Sequence, residues 1–266
     1  MDSTYQYGAH VRANGIRQHY LRYGGRGGAL IIIPGITSPA ATWGFVGDRL
    51  GHAFDTYVLD VRGRGLSSAG PDLDYSLDTC AKDVADFATA LGLSRYRVLG
   101  HSLGARIGAR LAALYGKPIE RLVLADPPLS GPGRRPYVKP LSFYIDSIRQ
   151  AQAGLVDGDA VRRDFPNWGE AQLRQRAEWL HTCDEAAIAQ SHRGLQEEEI
   201  HGNLATIKMP TLLVPAGQGG VINDEDVVEV RRIMPDIKVA WMRHAGHMLP
   251  FDDLDGFVAV VEDFLR

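Results

Sequence analysis

Cysteine is scarce in this chain. Cys80 and Cys183 are the only two in 266 residues, too few for a disulfide framework, and they fall in separate helical stretches without metal-type spacing. Two unpaired thiols in a reducing, cytoplasmic protein are therefore expected. No apolar run approaches the roughly 18 residues of a membrane span. The first residues, Met1-Asp2-Ser3-Thr4-Tyr5, carry neither a basic n-region nor an apolar h-region, so secretion by that route is not expected. An excess of one charge is missing too. Twenty-nine basic side chains face 32 acidic ones for a net charge of −3, which makes no electrostatic case for nucleic acid or an anionic membrane as partner. Repeats and low-complexity tracts are absent. What remains is a chain 45% hydrophobic, able to bury a full core as one large domain or a domain with an insertion.

The pattern along the chain alternates. Residues 9–13 and 16–23 read as antiparallel strands turning at Asn14-Gly15, a strong hairpin signal. Residues 29–33 run apolar without alternation, as a strand covered on both faces should. A helix over 43–50 and a strand over 56–60 follow, then a glycine-rich loop, Asp60-Val61-Arg62-Gly63-Arg64-Gly65-Leu66-Ser67. That loop lacks the phosphate-binding glycine patterns and reads as a structural turn. Ser76 caps a helix to Leu91 with Leu77, Val84, Phe87 and Leu91 on its inner face. Strands over 95–99 and 121–125 bracket a helix from 105 to 115 whose apolar face is Ile107, Leu111 and Leu114.

From 129 to 207 no strand-like run appears, and helical stretches such as 141–150 and 170–182 take over. Alternation then resumes with a strand at 211–215, a helix at 224–233, a strand at 238–242 and a closing helix at 254–265. The fold expected is α/β, a doubly wound, mostly parallel sheet of about eight strands. Its core is 1–128 and 208–266, with a helical cap over 129–207 inserted after the sixth strand; an independent helical domain is the alternative for that insert.

Chemistry concentrates at Gly100-His101-Ser102-Leu103-Gly104, where a strand turns directly into a helix. Such a turn lifts the Ser102 hydroxyl off the sheet and aims the helix's N-terminal amides at any anion formed there. Serine needs a base, and the base an orienting acid. Of nine histidines, His247 fits best, in a loop after the last strand, with His244 as its rival; His101 is too close in the chain to reach its neighbour's hydroxyl. No acid follows Gly217 directly, and Asp224 and Asp226 look like the cap and first turn of a helix. Asp126, ending the strand after the elbow helix, is the better candidate. Backbone N–H groups of Leu103 and Ile36 are the expected oxyanion donors. Neither a metal nor a cofactor is called for.

Pro34-Gly35, Asp60-x-Arg62-Gly63-x-Gly65-x-Ser67, Gly100-His101-Ser102-Leu103-Gly104 and Gly246-His247 together resemble the α/β-hydrolase fold superfamily, over nearly the whole chain. Longer runs resemble the N-formylmaleamate deformylase family of aerobic bacterial nicotinate degradation. They include Ala13-Asn14-Gly15-Ile16-Arg17-Gln18-His19-Tyr20, Pro34-Gly35-Ile36-Thr37-Ser38-Pro39, Asp126-Pro127-Pro128 and Arg176-Ala177-Glu178-Trp179-Leu180-His181-Thr182-Cys183. That family also carries its acid after the strand that follows the elbow helix, which matches Asp126. The resemblance implies hydrolysis of an anionic N-formyl amide to maleamate and formate, with attack by Ser102. It also implies a cationic or donor-rich wall for the substrate carboxylate. Arg134, Arg135, Arg149, Arg163, Arg176 and His181 lie in or beside the insert, and the sequence does not choose among them. Tyr144 and Trp179 are candidates for the pocket wall, with core packing as the alternative for each. A carboxylesterase or C–C bond hydrolase would use the same residues, and a non-catalytic or single-turnover receptor would keep the fold. Dehalogenases and epoxide hydrolases place an aspartate where Ser102 stands. Oligomeric state is not legible.

Overall fold

A computed structural model describes residues 2–266. Eight strands form one sheet: β1 (Tyr5–Ala13), β2 (Ile16–Tyr23), β3 (Ala29–Ile33), β4 (Asp55–Leu59), β5 (Tyr96–His101), β6 (Ile119–Ala125), β7 (Thr211–Val214) and β8 (Lys238–Val239). Their order is β1-β2-β4-β3-β5-β6-β7-β8. β1–β2 and β2–β4 pair antiparallel; every other pair is parallel. The chain leaves β3 for β4 on one side and crosses back to β5 on the other. The carboxyl ends of β3 and β5 are thus the switch point where open α/β sheets bind ligands.

The unbroken apolar run of β3 has a direct cause. Ile31 and Ile33 face one apolar cluster with Val98, Leu122, Leu124, Val84 and Phe87, whereas Leu30 and Ile32 face the other with Val58, Leu99, Val123, Trp43 and Phe257. These four of the five β3 side chains are fully buried, each stabilising the fold by about 2 kcal/mol. Helices α2 (Leu77–Ala90) and α3 (Leu103–Tyr115) cover the first face; α1 (Gly44–Leu50) and α11 (Leu254–Leu265) cover the second.

Between β6 and β7 lie α4 (Leu141–Gln152), α5 (Gly158–Asp164), α6 (Glu170–Trp179), α7 (Glu185–Glu197) and the short α8 (His201–Leu204). Ile148 of α4, Ile188 and Leu195 of α7 and Leu204 of α8 join the same apolar cluster as α2 and α3, whereas Val161 of α5 and Leu173 of α6 pack with Trp168 in a small cluster of their own. α9 (Asp224–Ile233) and α10 (Leu249–Asp252) complete the fold.

Several local expectations change. β1 starts at Tyr5, because backbone pairing with β2 outlasts the apolar pattern. β8 is only two residues long; beyond it the chain keeps a single bridge, Ala216 to Met242, before turning into the His247 loop. Leu114 is 52% exposed, at an open surface hollow that the last turn of α3 shares with Ala85, Ala88 and Thr89 of α2. Cys183 sits in the connection before α7, not within a helix, and like Cys80 it is a buried free thiol. Burial pushes Cys80 up to about 12 and Cys183 up to about 11, so neither is a nucleophile. Among the described residues, no helix is long and apolar enough to cross a membrane.

Candidate active site

Ser102 occupies the tight turn between β5 and α3 at φ 55° and ψ −119°, a left-handed conformation that costs a non-glycine residue about 1 kcal/mol or more. The turn holds because its flanks have no side chains. A Cβ on Gly100 would stand 2.3 Å from the Gly104 carbonyl oxygen, and one on Gly104 would stand 1.9 Å from that of Ile33. The Ser102 amide donates to the Ala125 carbonyl, tying the elbow to the end of β6.

Asp126 follows β6 directly and also has positive φ, 43°. It is fully buried, and its carboxylate accepts from the amides of Ala216 at 3.3 Å and Val221 at 3.0 Å. His247 closes the set: Nδ1 lies 2.6 Å from Asp126 Oδ2 and Nε2 lies 3.0 Å from Ser102 Oγ. The carboxylate therefore holds the proton on Nδ1 and leaves Nε2 facing the hydroxyl. His244 is exposed and apart from this set. Asp224 opens α9, and Asp226 shares a capping box with Asn223 and pairs with Arg135 at 2.5 Å, so both acids serve helix and surface.

His101 supports His247 from behind. Its Nε2 donates to the His247 carbonyl at 2.8 Å, and its ring packs between Trp43 and His247 at centroid distances of 5.0 Å each. Burial, with the neighbouring His247 adding to it, pushes His101 down to about 3, so the ring is neutral at ordinary pH. The Gly246 amide donates to Asp252 at 2.8 Å, fixing the same loop at its other side.

A cavity of about 370 Å³ opens over Ser102 and His247. Gly35, Ile36 and Thr37, from the loop after β3, form one side of its floor. The amides of Ile36 and Leu103 have no protein acceptor among the described residues. Leu103 itself points into the core. Arg64 braces this loop from beneath: fully buried, it donates to the carbonyls of Ile36 at 3.0 Å and Arg62 at 2.7 Å and to Ser191 Oγ at 2.8 Å. Asp60 accepts from the Ala40 and Leu66 amides and from His19, so the charged glycine-rich loop is structural.

The roof comes from the helices between β6 and β7. Tyr144 lines it, its hydroxyl 2.7 Å from that of Tyr137. Burial pushes both phenols up, keeping them neutral donors. Trp179 does not line the cavity. It ends α6, beyond the turn that presents Arg176, and its carbonyl accepts from Thr182. The aromatic wall is Trp168 instead, stacked on Phe165 and Phe251 at 4.1 and 4.2 Å. Trp168, Tyr137 and the Asp126-binding amides carry no local sequence signal; Arg64 does, as a charge within a glycine-rich turn.

A model of the alpha/beta hydrolase fold family matches residues 28–254, and the chain belongs to that family. The protein is 59% identical over 263 residues to the N-formylmaleamate deformylase of Pseudomonas putida (strain KT2440), covering 99% of this chain and 98% of that one. It also superposes, with a TM-score of 0.92 and 46% identity, on the N-formylmaleamic acid deformylase of Pseudomonas putida S16, covering 96% of this chain and all of the other. A more distant relative, the 2-(acetamidomethylene)succinate hydrolase of Mesorhizobium japonicum, is 26% identical over 85% of this chain and 84% of its own.

Proposed function

We propose that the protein hydrolyses the formyl C–N bond of N-formylmaleamate, giving maleamate and formate. The observation that carries this reading is 59% identity over essentially the full length of a deformylase. The Ser102–His247–Asp126 alignment supports it with chemistry competent for acyl transfer. In this mechanism His247 Nε2 takes the Ser102 proton as Oγ bonds to the formyl carbon. The formyl oxygen becomes an oxyanion held by the Ile36 and Leu103 amides. The C–N bond then breaks, His247 gives its proton to the departing nitrogen, and maleamate leaves. Water, deprotonated by His247, attacks the formyl ester; formate departs and Ser102 recovers its proton. Residues 129–207 act as the cap that shields this ester. The buried free thiols favour a reducing, cytoplasmic setting, and a small anionic substrate is the partner.

Formate release from N-formylmaleamate tests the proposal, beside a Ser102→Ala control. Multiple turnovers in the native protein, reduced by roughly 10⁴-fold or more in the control, are expected. Ester cleavage without formate release would keep the triad and replace the substrate. Binding with no turnover of either would favour a receptor.

A further inference from the structure

The arginines of the roof differ in one respect. Arg134 pairs with Glu229, Arg135 with Asp226, Arg149 with Glu185 and Arg162 with Glu170. Arg176 lines the cavity and has no carboxylate partner among the described residues. Its Nη1 donates to the Thr37 carbonyl, and its Nη2 to Thr37 Oγ1 at 3.0 Å. Of the five N–H groups of a guanidinium, two are used on Thr37, leaving three without a protein acceptor. Burial lowers its affinity for a proton; Cys183, Tyr144 and the carboxylate of Asp164, which lines the same cavity, oppose that without bonding to it. A half-buried cation without a counter-ion is costly unless a ligand supplies one.

We propose that Arg176 is the receptor for the carboxylate that the substrate carries away from its scissile bond, and that it sets the preference for anionic over neutral substrates. The proposal rests on the deformylase reading for its substrate. A carboxylate fits the guanidinium fork, and charge-assisted bonds there are short and strong. Thr37 directly follows Ile36, so the group that grips the carboxylate also steadies the peptide beside the oxyanion donor. Recognition and chemistry are joined through one loop.

The test compares kcat/KM for N-formylmaleamate with that for its neutral methyl ester, in native protein, Arg176→Gln and Arg176→Lys, with the exposed Arg163→Gln as control. The acid-to-ester ratio should fall by about 100-fold in Arg176→Gln, fall less in Arg176→Lys, and stay unchanged in Arg163→Gln. Equal losses on both substrates would make Arg176 a strut for the Thr37 loop and overturn the proposal. If native protein releases no formate, the deformylase reading fails on its own, and maleate is then used as inhibitor of p-nitrophenyl acetate cleavage. Weaker inhibition by about 100-fold in Arg176→Gln would sustain the carboxylate receptor. Equal inhibition constants, or no inhibition of native protein, would reject it.

Discussion

The floor of the cavity comes from the ends of β3, β5 and β6, its roof from the helices between β6 and β7, and the two are held differently. Floor groups are fixed by backbone. Ser102 sits in a turn that its flanking glycines permit, Asp126 is gripped by two amides, and His247 is tethered through its own carbonyl. Roof groups are held through their side chains: Tyr137 on Tyr144 within the roof, Trp168 on Phe165 and on Phe251 of α10, and Arg176 reaching down to Thr37 of the floor. A floor built this way suits chemistry, which fails when reacting atoms shift by an ångström. A roof of interlocking side chains can change its occupants without disturbing the sheet. Floor substitutions should therefore cost kcat, and roof substitutions should cost KM and selectivity.

The sharpest probe of that division is Asp126→Asn. Turnover should drop by about 10⁴-fold through loss of the correct His247 tautomer, with KM little changed. Asp226→Asn, by contrast, should leave kcat within about twofold and lower stability by about 1 kcal/mol through its helix cap. Similar effects from both would remove Asp126 from the triad.

His101→Gln tests the support beneath His247, because glutamine keeps a donor for the His247 carbonyl but cannot titrate. In native protein the folded state resists protonating His101 until about pH 3. The unfolded chain takes that proton near 6.5. Folding stability is thus fully present above about pH 6.5 and declines as pH falls toward 3, by at most about 1.4 kcal/mol per unit. Between pH 7 and 4.5, urea denaturation should show native protein losing about 2–3 kcal/mol more than His101→Gln. An identical pH slope in the two proteins would mean that His101 protonates without penalty.

The smallest effect is expected in the roof. Tyr144→Phe strands the buried Tyr137 hydroxyl, so stability should fall by about 1 kcal/mol and KM should rise with kcat retained. A fall in kcat matching that of a floor variant would break the contrast between floor and roof.

Most of the floor was legible in the chain because its constraints are local. The apolar run of β3 and the elbow glycines each depend on neighbours a few residues away, whereas the cap of α9 falls on Asn223 and not on Asp224, one residue earlier than the acid pattern suggests. The alternation of strands and helices likewise implies a parallel sheet. The approach of Asp126 to His247 spans 121 positions, but both lie at carboxyl ends of strands, so topology could propose it. The roof obeyed no such rule. Trp179 and Trp168 are equally aromatic and eleven positions apart, and helix packing alone decided that Trp168 faces the cavity. Six basic candidates in the insert look alike as sequence; only the folded chain pairs Arg134, Arg135 and Arg149 with acids, leaves Arg163 and His181 exposed, and turns Arg176 into the cavity with Thr37 as its anchor. Backbone periodicity and turn sterics are written in short stretches of chain. Which side chains share a cavity depends on distances through space that no short stretch encodes.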